Sequence, residues 1–322
     1  MERQIPRQEA WRLQYRNEPY LRDLSNDDLF VRAGALMTAV TQHSEDGKLA
    51  IVSIDKDWSP MERFTHALEE FAIRRVGHRE PAVIKAMHIP QPNSSKVKRA
   101  PKILSKNTWS DPIMVKFGTR KHIASLFLEG KGRISLARTY KDSSLGHARA
   151  DDESQISVYV HPMDAHRLRA VEHFENGSRG IDVQVPYLGS VQIQWRANSD
   201  FYVYCLAQSC DVRMFDDFTT ADSDVDTCVV ITEPHKFMER IKTAIAIQLP
   251  NWKPIDGPIT YLDPFFVRVE HLPPQFCKHF RFSYQKEHRL VWIPPNPEQA
   301  SFPDHIYFDI GPLTDCARLI WL

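Results

Sequence analysis

The chain of 322 residues contains none of the short motifs that identify the common nucleotide-dependent and hydrolytic enzymes. A Gly-x-Ser-x-Gly elbow, a P-loop and a Rossmann glycine fingerprint are all missing, which argues against serine hydrolases, P-loop NTPases and dinucleotide-fold dehydrogenases. The 14 histidines and 5 cysteines form neither a His-Glu-x-x-His nor a Cys-x-x-Cys pattern. The sequence therefore predicts no dedicated metal site.

The chain has no excess of charge of either sign, since 41 Lys and Arg residues balance 41 Asp and Glu residues. No global field indicates a nucleic acid or an anionic membrane as a partner. No stretch approaches the roughly 18 consecutive apolar residues of a membrane span, and residues 1–4 do not resemble the start of a signal peptide. We expect a cytoplasmic protein without membrane association, whose odd number of scattered cysteines are reduced thiols.

Composition divides the chain into three segments. Residues 1–80 carry helix signals and short apolar runs, and we expect a mainly helical N-terminal lobe. Residues 81–110 hold six Lys or Arg residues, four prolines and no acidic residue, which predicts an extended, solvated connector. Residues 111–322 alternate short strands with a few helices, among them predicted helices over 162–175 and 235–248. This order is typical of an α+β domain built on antiparallel sheets.

The connector carries a cationic cluster that has two interpretations. Its residues 96–106 include Lys96, Lys98, Arg99 and Lys102, close enough together to contact a nucleic-acid backbone in a salt-dependent way. The same charges would also keep a plain linker solvated. The sequence leaves both interpretations open.

A strand-to-helix turn at Phe117, Gly118 and Thr119 has features of a ligand site. Glycine lets a ligand approach the backbone, and the hydroxyl of Thr119 stands beside the exposed N–H groups of the helix that follows. Such a turn suits a phosphate or an amide. Folding alone also requires a glycine and a cap at such a turn, so a purely structural interpretation stays open.

The loop of residues 140–153 combines an aromatic ring, an arginine and an acidic triplet. Tyr140 is suited to stack on a nicotinamide ring, and Arg149 to pair with a pyrophosphate. The triplet of residues 151–153 has other interpretations, as a capping run or as the metal site of a nuclease.

A second acidic segment matches the ligand spacing of an EF-hand loop, with Asp222, Asp224, Asp226 and Glu233 at the ligand positions. Thr227 stands where that loop requires glycine, and the residues after it are strongly strand-like. We therefore interpret the segment as a polar loop that enters a buried strand.

The most informative feature is the step Gln285-Lys286-Glu287, which leads into a β-branched and aromatic run. A strand has a period of two, so Gln285 and Glu287 are predicted to lie side by side on one strand face. An amide and a carboxylate in that arrangement can bind a sugar hydroxyl and a second polar partner together.

In chain order, four segments resemble a broad group of bacterial ADP-ribosyltransferases, several of which are toxins or phage-defence effectors. The segments are the turn at Phe117, the strand of Ser135 with its following loop, the strand of residues 202–206 and the Gln285–Glu287 step. The resemblance implies split antiparallel β-sheets with flanking helices, which hold NAD as a substrate in a bent conformation between them.

The resemblance also implies roles for single residues. Glu287 would be the catalytic glutamate, which binds the ribose 2′-hydroxyl and stabilises the oxocarbenium-like charge that forms as nicotinamide leaves. Gln285 would orient the acceptor, and a glutamine there suits an amide or a nucleobase better than a guanidinium. The implied contacts to NAD are Phe117, Gly118, Thr119, Ser135, Tyr140 and Arg149.

The expected partners follow from the same resemblance. We expect transfer of ADP-ribose either to nucleic acid, RNA in particular, or to a protein. A nucleic-acid acceptor would be bound by Lys96, Lys98, Arg99 and Lys102. An antitoxin or other neutralising partner is a further expectation for a toxin. The alternative is a non-catalytic module of the same fold that binds RNA, a nucleotide or a partner protein.

Overall fold

The computed structural model describes residues 5–43, 49–51, 59–76, 85, 94–107, 109–110, 112–146, 148–160, 169–173, 179–184, 191–266, 273–296 and 302–322. The fold is α+β, and a small helical lobe precedes a domain organised around one large antiparallel sheet. The predicted combination of α-helices with antiparallel β-sheets is therefore confirmed. The five cysteines are free. In the described part of the chain, no helix is long and apolar enough to cross a membrane.

The helices used below are α1 (Arg7–Asn17), α2 (Asn26–Val40), α3 (Ser59–Arg74), α4 (Ser95–Leu104), α5 (Arg120–Glu129), α6 (Arg213–Asp217) and α7 (Pro234–Gln248). The strands up to residue 196 are β1 (Thr41–His43), β2 (Leu49–Ile51), β3 (Met114–Gly118), β4 (Lys131–Leu136), β5 (Gln155–Val160), β6 (Arg169–His173), β7 (Arg179–Gln184) and β8 (Val191–Arg196). The later strands are β9 (Tyr202–Ala207), β10 (Thr227–Ile231), β11 (Lys253–Pro258), β12 (Thr260–Leu262), β13 (Cys277–His279), β14 (Glu287–Ile293), β15 (His305–Asp309) and β16 (Ala317–Trp321).

The largest sheet has eight strands and is antiparallel throughout. Its main order is β11-β14-β9-β3-β10-β16, while β4 also joins β9 and carries β15 on its other side. Strand β9 pairs with β4 at Tyr202 and Val203, but with β3 at Ala207. The two neighbours of β9 therefore diverge, and the sheet opens into a split between β3 and β4.

Helices cover both faces of this sheet. Tyr204 and Leu206 of β9 pack with Phe237 and Ile241 of α7, because alternate residues of a strand point to the same side. On the other face, α4 and α6 pack on β3 and β10. The strands that border the split are therefore held between two apolar layers.

The helical lobe is fixed to the domain by buried arginines. Arg32 of α2 donates two hydrogen bonds to Asp263, at 2.8 Å and 2.9 Å. Arg213 of α6 donates to the carbonyl oxygen of Thr38 at 3.3 Å, and its guanidinium lies 3.7 Å from the ring centroid of Tyr284. The lobe thus braces the segment that precedes β14.

The prediction of an extended connector is wrong for residues 95–104, which form helix α4. The side chain of Ser94 caps the helix by accepting from the N–H of Val97, and Val97 and Ala100 are buried. Burial of this apolar side outweighs the proline and the repulsion between like charges. Residues 81–84, 86–93 and 108 of the predicted connector lie outside the described residues.

The two predicted helices of the domain have different outcomes. The helix over 235–248 is confirmed as α7, with Pro234 in its first turn. The helix over 162–175 is wrong where it is described, because Arg169–His173 is strand β6 and pairs with β7. Residues 161–168 and 174–178 lie outside the described residues.

Candidate functional site

A cavity of about 1170 Å³ lies in the split between β3 and β4, and side chains of β9 line it. The residues that the resemblance assigns to catalysis and to NAD binding come from separate segments of the chain. All of them line this one cavity: Phe117, Gly118, Thr119, Ser135, Tyr140, Arg149, Gln285 and Glu287. The fold therefore brings the complete predicted set together.

The turn between β3 and α5 forms one part of the wall. A Cβ on Gly118 would lie 3.1 Å from Cγ1 of Ile123, so the close packing of this turn favours glycine. Thr119 precedes α5, and its hydroxyl oxygen lies 3.1 Å from Nδ1 of His122. Phe117 is buried in the apolar layer beside β3. Packing fixes the turn, and Thr119 supplies its polar group.

The loop that follows β4 carries Tyr140 and Arg149. The loop is closed by a hydrogen bond of 2.9 Å from the N–H of Asp151 to the carbonyl of Tyr140. Arg149 donates from Nε to the carbonyl of Leu145 at 3.2 Å, and among the described residues no carboxylate pairs with it. Burial lowers the pKa of this guanidinium. Arg149 is therefore placed to bind an anion in the cavity.

Glu287 begins β14, is 5% exposed and belongs to a buried cluster of four charged groups. Arg289 donates from Nε to Oε1 of Glu287 at 2.6 Å, and Lys278 donates from Nζ to Oε2 at 3.1 Å. The second carboxylate, Glu153, pairs with both cations. Two positive charges thus balance two negative charges, which offsets the desolvation of each ion.

Lys278 is the centre of this charge cluster. An ammonium has three N–H donors, and three acceptors surround it: Oε2 of Glu287, Oε1 of Gln285 at 3.2 Å and Oε1 of Glu153 at 3.4 Å. Its Nζ also lies 4.6 Å from the ring centroid of Phe282. Lys278 therefore holds three side chains from different segments in one geometry.

The two carboxylates of the cluster differ in acidity. Burial raises the pKa of Glu287, but the charges of Arg289 and Lys278 outweigh burial and hold that pKa well below its usual range. For Glu153 burial prevails over the same cations, and its pKa is raised. Burial lowers the pKa of Lys278, yet the two carboxylates outweigh it and the pKa is raised. Glu287 is therefore ionised at neutral pH.

The prediction that Gln285 and Glu287 lie side by side on one strand is wrong, because only Glu287 belongs to a strand. Gln285 ends a 3-10 turn (Phe280–Gln285), Lys286 has a φ of 42°, and β14 begins at Glu287. The two side chains meet because both contact the same ammonium. The amide of Gln285 also donates to the carbonyl of Ala148 at 2.7 Å, which ties this turn to the loop after β4.

Lys116 of β3 adds a cation to the cavity wall. Its Nζ donates to the carbonyl of Cys205 at 2.8 Å and lies 4.3 Å from the ring centroid of Tyr204. Burial lowers the pKa of Lys116 and raises the pKa of the Cys205 thiol. The thiol is therefore protonated at neutral pH and is a poor nucleophile.

The cations predicted to contact phosphate lie on α4, near the rim of the cavity. Lys96 is engaged within the protein, because its ammonium pairs with Asp224 and donates to Thr219 at 2.7 Å. The residues on either side of Asp224 line the cavity. The other predicted cations are exposed: Lys98, Arg99 and Lys102. These three exposed side chains are accessible to a phosphate backbone.

Sequence reasoning missed the groups that hold Glu287. Arg289 follows Glu287 by two residues on β14, and the period of a strand was a usable signal that both share a face. Lys278 is separated from Glu287 by a 3-10 turn, and no periodicity relates the two. Glu153 belongs to the acidic triplet that was open to a metal interpretation. Its actual partners come from β13 and β14.

The described residues contain no group of three or more His, Cys, Asp or Glu side chains placed to hold a metal ion. In the acidic triplet, Asp152 pairs with Lys141 and Glu153 lies in the charge cluster. In the second acidic segment, Asp224 and Asp226 likewise pair with cations of the protein. The nuclease and calcium interpretations gain no support from this arrangement.

Comparisons of the chain with models of protein families, with curated proteins and with solved structures gave no match.

Proposed function

We propose that this protein is an NAD-dependent ADP-ribosyltransferase of the toxin or phage-defence type, which transfers ADP-ribose to nucleic acid or to a protein. The observation that carries the proposal is the convergence of eight residues from separate segments on a single cavity. The position of that cavity, in a split between antiparallel strands, supports the same interpretation. Its volume of about 1170 Å³ is above the usual range for drug-sized ligands and suits a dinucleotide.

Glu287 supplies the charge that the proposed reaction requires. Each oxygen of an ionised carboxylate has two lone pairs, and the hydrogen bonds from Arg289 and Lys278 use one on each oxygen. The thiol of Cys205 also hydrogen-bonds this carboxylate. The lone pair that remains can accept from a ribose hydroxyl. As the bond between C1′ and the nicotinamide nitrogen breaks, its electron pair leaves with nicotinamide and positive charge develops on the ribose. The carboxylate stabilises that charge until the acceptor forms the new bond to C1′.

Two guanidinium groups fit the anionic part of NAD. Arg133 and Arg149 both line the cavity, and no carboxylate in the described part of the chain pairs with either. After burial, the charge of Arg133 contributes to the lowered pKa of Arg149, so each lies in the field of the other. A pyrophosphate would relieve this repulsion, and a planar guanidinium binds phosphate oxygens in pairs.

Nucleic acid is the acceptor that the surface favours. Lys98, Arg99 and Lys102 are exposed on α4, and the ion pair of Lys96 with Asp224 joins that helix to the cavity rim. Three phosphate contacts to a single strand would give a salt slope of about −2 in a plot of log K against log salt. Transfer to a protein is the second acceptor class, and an antitoxin would be a further partner.

The second candidate is a non-catalytic module that binds RNA, a nucleotide or a partner protein. The exposed cations of α4 favour it, because they need no chemistry at Glu287 to act. The two functions separate by mutation. An enzyme loses NAD turnover on Glu287→Gln, whereas a binding module loses only its ligand when Lys98, Arg99 and Lys102 are replaced by glutamine.

The proposal is tested by incubating the protein with NAD labelled in the adenylate phosphate and with total cell lysate, followed by separation of RNA and protein. We expect label in one fraction with the wild type and none with Glu287→Gln. Glu239→Gln, an exposed carboxylate on α7, is the matched control and retains transfer. Absence of label in both fractions, with folded protein and excess NAD, would favour the binding module.

A further inference from the structure

The cavity wall formed by β4 and β15 has a polar face that the proposed reaction uses only in part. In this antiparallel pair Ser135 lies opposite His305, Arg133 opposite Tyr307 and Lys131 opposite Asp309. Directly opposed residues of an antiparallel pair point to the same side of the sheet. All six of these side chains line the cavity.

The other side of the same pair of strands is part of the apolar core. Ile134, Ile306 and Phe308 are buried there. Gly132 leaves room for the ring of Phe308, which a Cβ at that position would overlap. This packing fixes the two strands and, with them, the backbone positions of the polar residues.

Tyr307 is unusual because the residue is 66% exposed although its backbone is held by hydrogen bonds. The carbonyl of Tyr307 accepts a hydrogen bond of 2.7 Å from Nε2 of Gln248, at the end of α7. The strand register holds the residue against Arg133. An exposed aromatic ring on a rigid strand at the edge of a cavity provides a flat surface for a planar ligand.

Two other planar groups lie beside this ring. Arg133 is the cross-strand partner of Tyr307, is exposed and has no carboxylate partner among the described residues. His305 lies two residues before Tyr307 on the same face, and its Nδ1 is 3.0 Å from Oγ of Ser135. Burial and then the charge of Arg133 lower the pKa of His305, so its ring is neutral at pH 7. The wall thus joins a phenol, a guanidinium and a neutral imidazole.

We infer that Tyr307, Arg133 and His305 form a nucleobase-binding subsite at the β4–β15 edge of the cavity. Bases stack on tyrosine rings and on guanidinium planes, and an arginine beside the ring meets the phosphate of the same nucleotide. The base comes either from a single-stranded nucleic-acid acceptor or from the adenine of NAD. This inference rests on the proposed function and names residues that select its substrates.

The test compares four forms of the 322-residue chain: wild type, Tyr307→Ala, Tyr307→Phe and Trp321→Ala. Tyr307→Phe keeps the ring. Trp321→Ala is the matched control, because Trp321 is an aromatic residue of β16 that is 55% exposed. Binding of a fluorescein-labelled 12-mer of oligoadenylate is measured by anisotropy, binding of ADP-ribose by calorimetry, and NAD turnover by nicotinamide release. Loss of one stacked base predicts about 5- to 150-fold weaker binding for Tyr307→Ala, and both controls stay within about twofold of the wild type.

The outcomes separate the two sources of the base. Weaker binding of the oligonucleotide alone assigns the subsite to the acceptor, and weaker binding of ADP-ribose alone assigns it to the adenine of NAD. Tyr307→Ala with wild-type affinity for both ligands overturns the inference, even if NAD is turned over. Tyr307-dependent binding without any NAD turnover keeps the subsite and refutes the proposed function. A wild-type protein that binds neither ligand refutes both.

Discussion

The charge cluster around Glu287 gives the most demanding prediction about this protein. Lys278→Met removes one of two cations and leaves the carboxylates of Glu153 and Glu287 with Arg289 alone. Breaking a buried ion pair by removing one partner costs about 3–5 kcal/mol, because it leaves an uncompensated buried charge. This is a large share of the roughly 5–15 kcal/mol that stabilises a folded protein.

The assay is urea denaturation, followed by tryptophan fluorescence. With a slope of about 3 kcal/mol per molar urea, the predicted loss moves the midpoint of Lys278→Met down by about 1–2 M. The double variant Lys278→Met/Glu153→Gln restores charge balance with Arg289 and Glu287 as the remaining pair. We expect it to recover a clear part of the lost stability, since the two mutations affect one network.

Two results would contradict this prediction for Lys278. A loss below about 1 kcal/mol for Lys278→Met would mean that the ammonium is solvated and not an ionic partner of the cluster. A double variant less stable than the single variant would mean that packing around residue 278, and not charge balance, determines the stability there.

Three further predictions concern the rest of the fold. Burial lowers the pKa of His66 to about 4 and that of His279 to about 3. Below the histidine pKa of about 6.5 in the unfolded chain, the unfolded chain therefore binds more protons than the folded one. We expect the Tm to fall steadily from pH 7 to pH 5, and to fall less in the double variant His66→Gln/His279→Gln. Gly130 has a φ of 73° and a Cβ there would overlap the carbonyl oxygen of Gly311, so Gly130→Ala is expected to lower stability by about 1–3 kcal/mol in urea denaturation; an unchanged midpoint would contradict this. Arg32→Met leaves a buried carboxylate without its two main hydrogen bonds, and we expect a loss of about 3 kcal/mol together with faster proteolysis of the helical lobe; wild-type stability and proteolysis would contradict it.

Local signals in the sequence predict those elements whose ends are fixed by local chemistry. Helix α7 begins with Pro234 in its first turn, and α5 ends at Gly130 in the left-handed conformation, so both helices follow from their own residues. Helix α4 was not predicted, because its cations and Pro101 argue locally against a helix. Burial of Val97 and Ala100 against the domain stabilises it, and that contact depends on the tertiary structure.

The residues of the candidate site also divide into those that local sequence predicts and those that only the tertiary structure reveals. Glu287, Gln285 and the turn at Gly118 were found because they stand in short segments with a recognisable order. Lys278 was not found, since its distance to Glu287 is set by a 3-10 turn and a positive φ at Lys286, which no hydrophobic period records. The wall formed by β4 and β15 was also missed, because strands far apart in sequence reveal their shared face only through register.

The central claim is that ionised Glu287 promotes cleavage of NAD, and release of nicotinamide from NAD by the purified protein tests it most directly. The measurement compares the wild type with Glu287→Gln at saturating NAD, with and without total cellular RNA, after both proteins are shown to have the same circular dichroism spectrum. We expect release by the wild type and a loss of at least about 100-fold in Glu287→Gln, because the glutamine amide cannot stabilise the charge on the ribose. Equal release by both proteins, or none by the folded wild type under either condition, would contradict it.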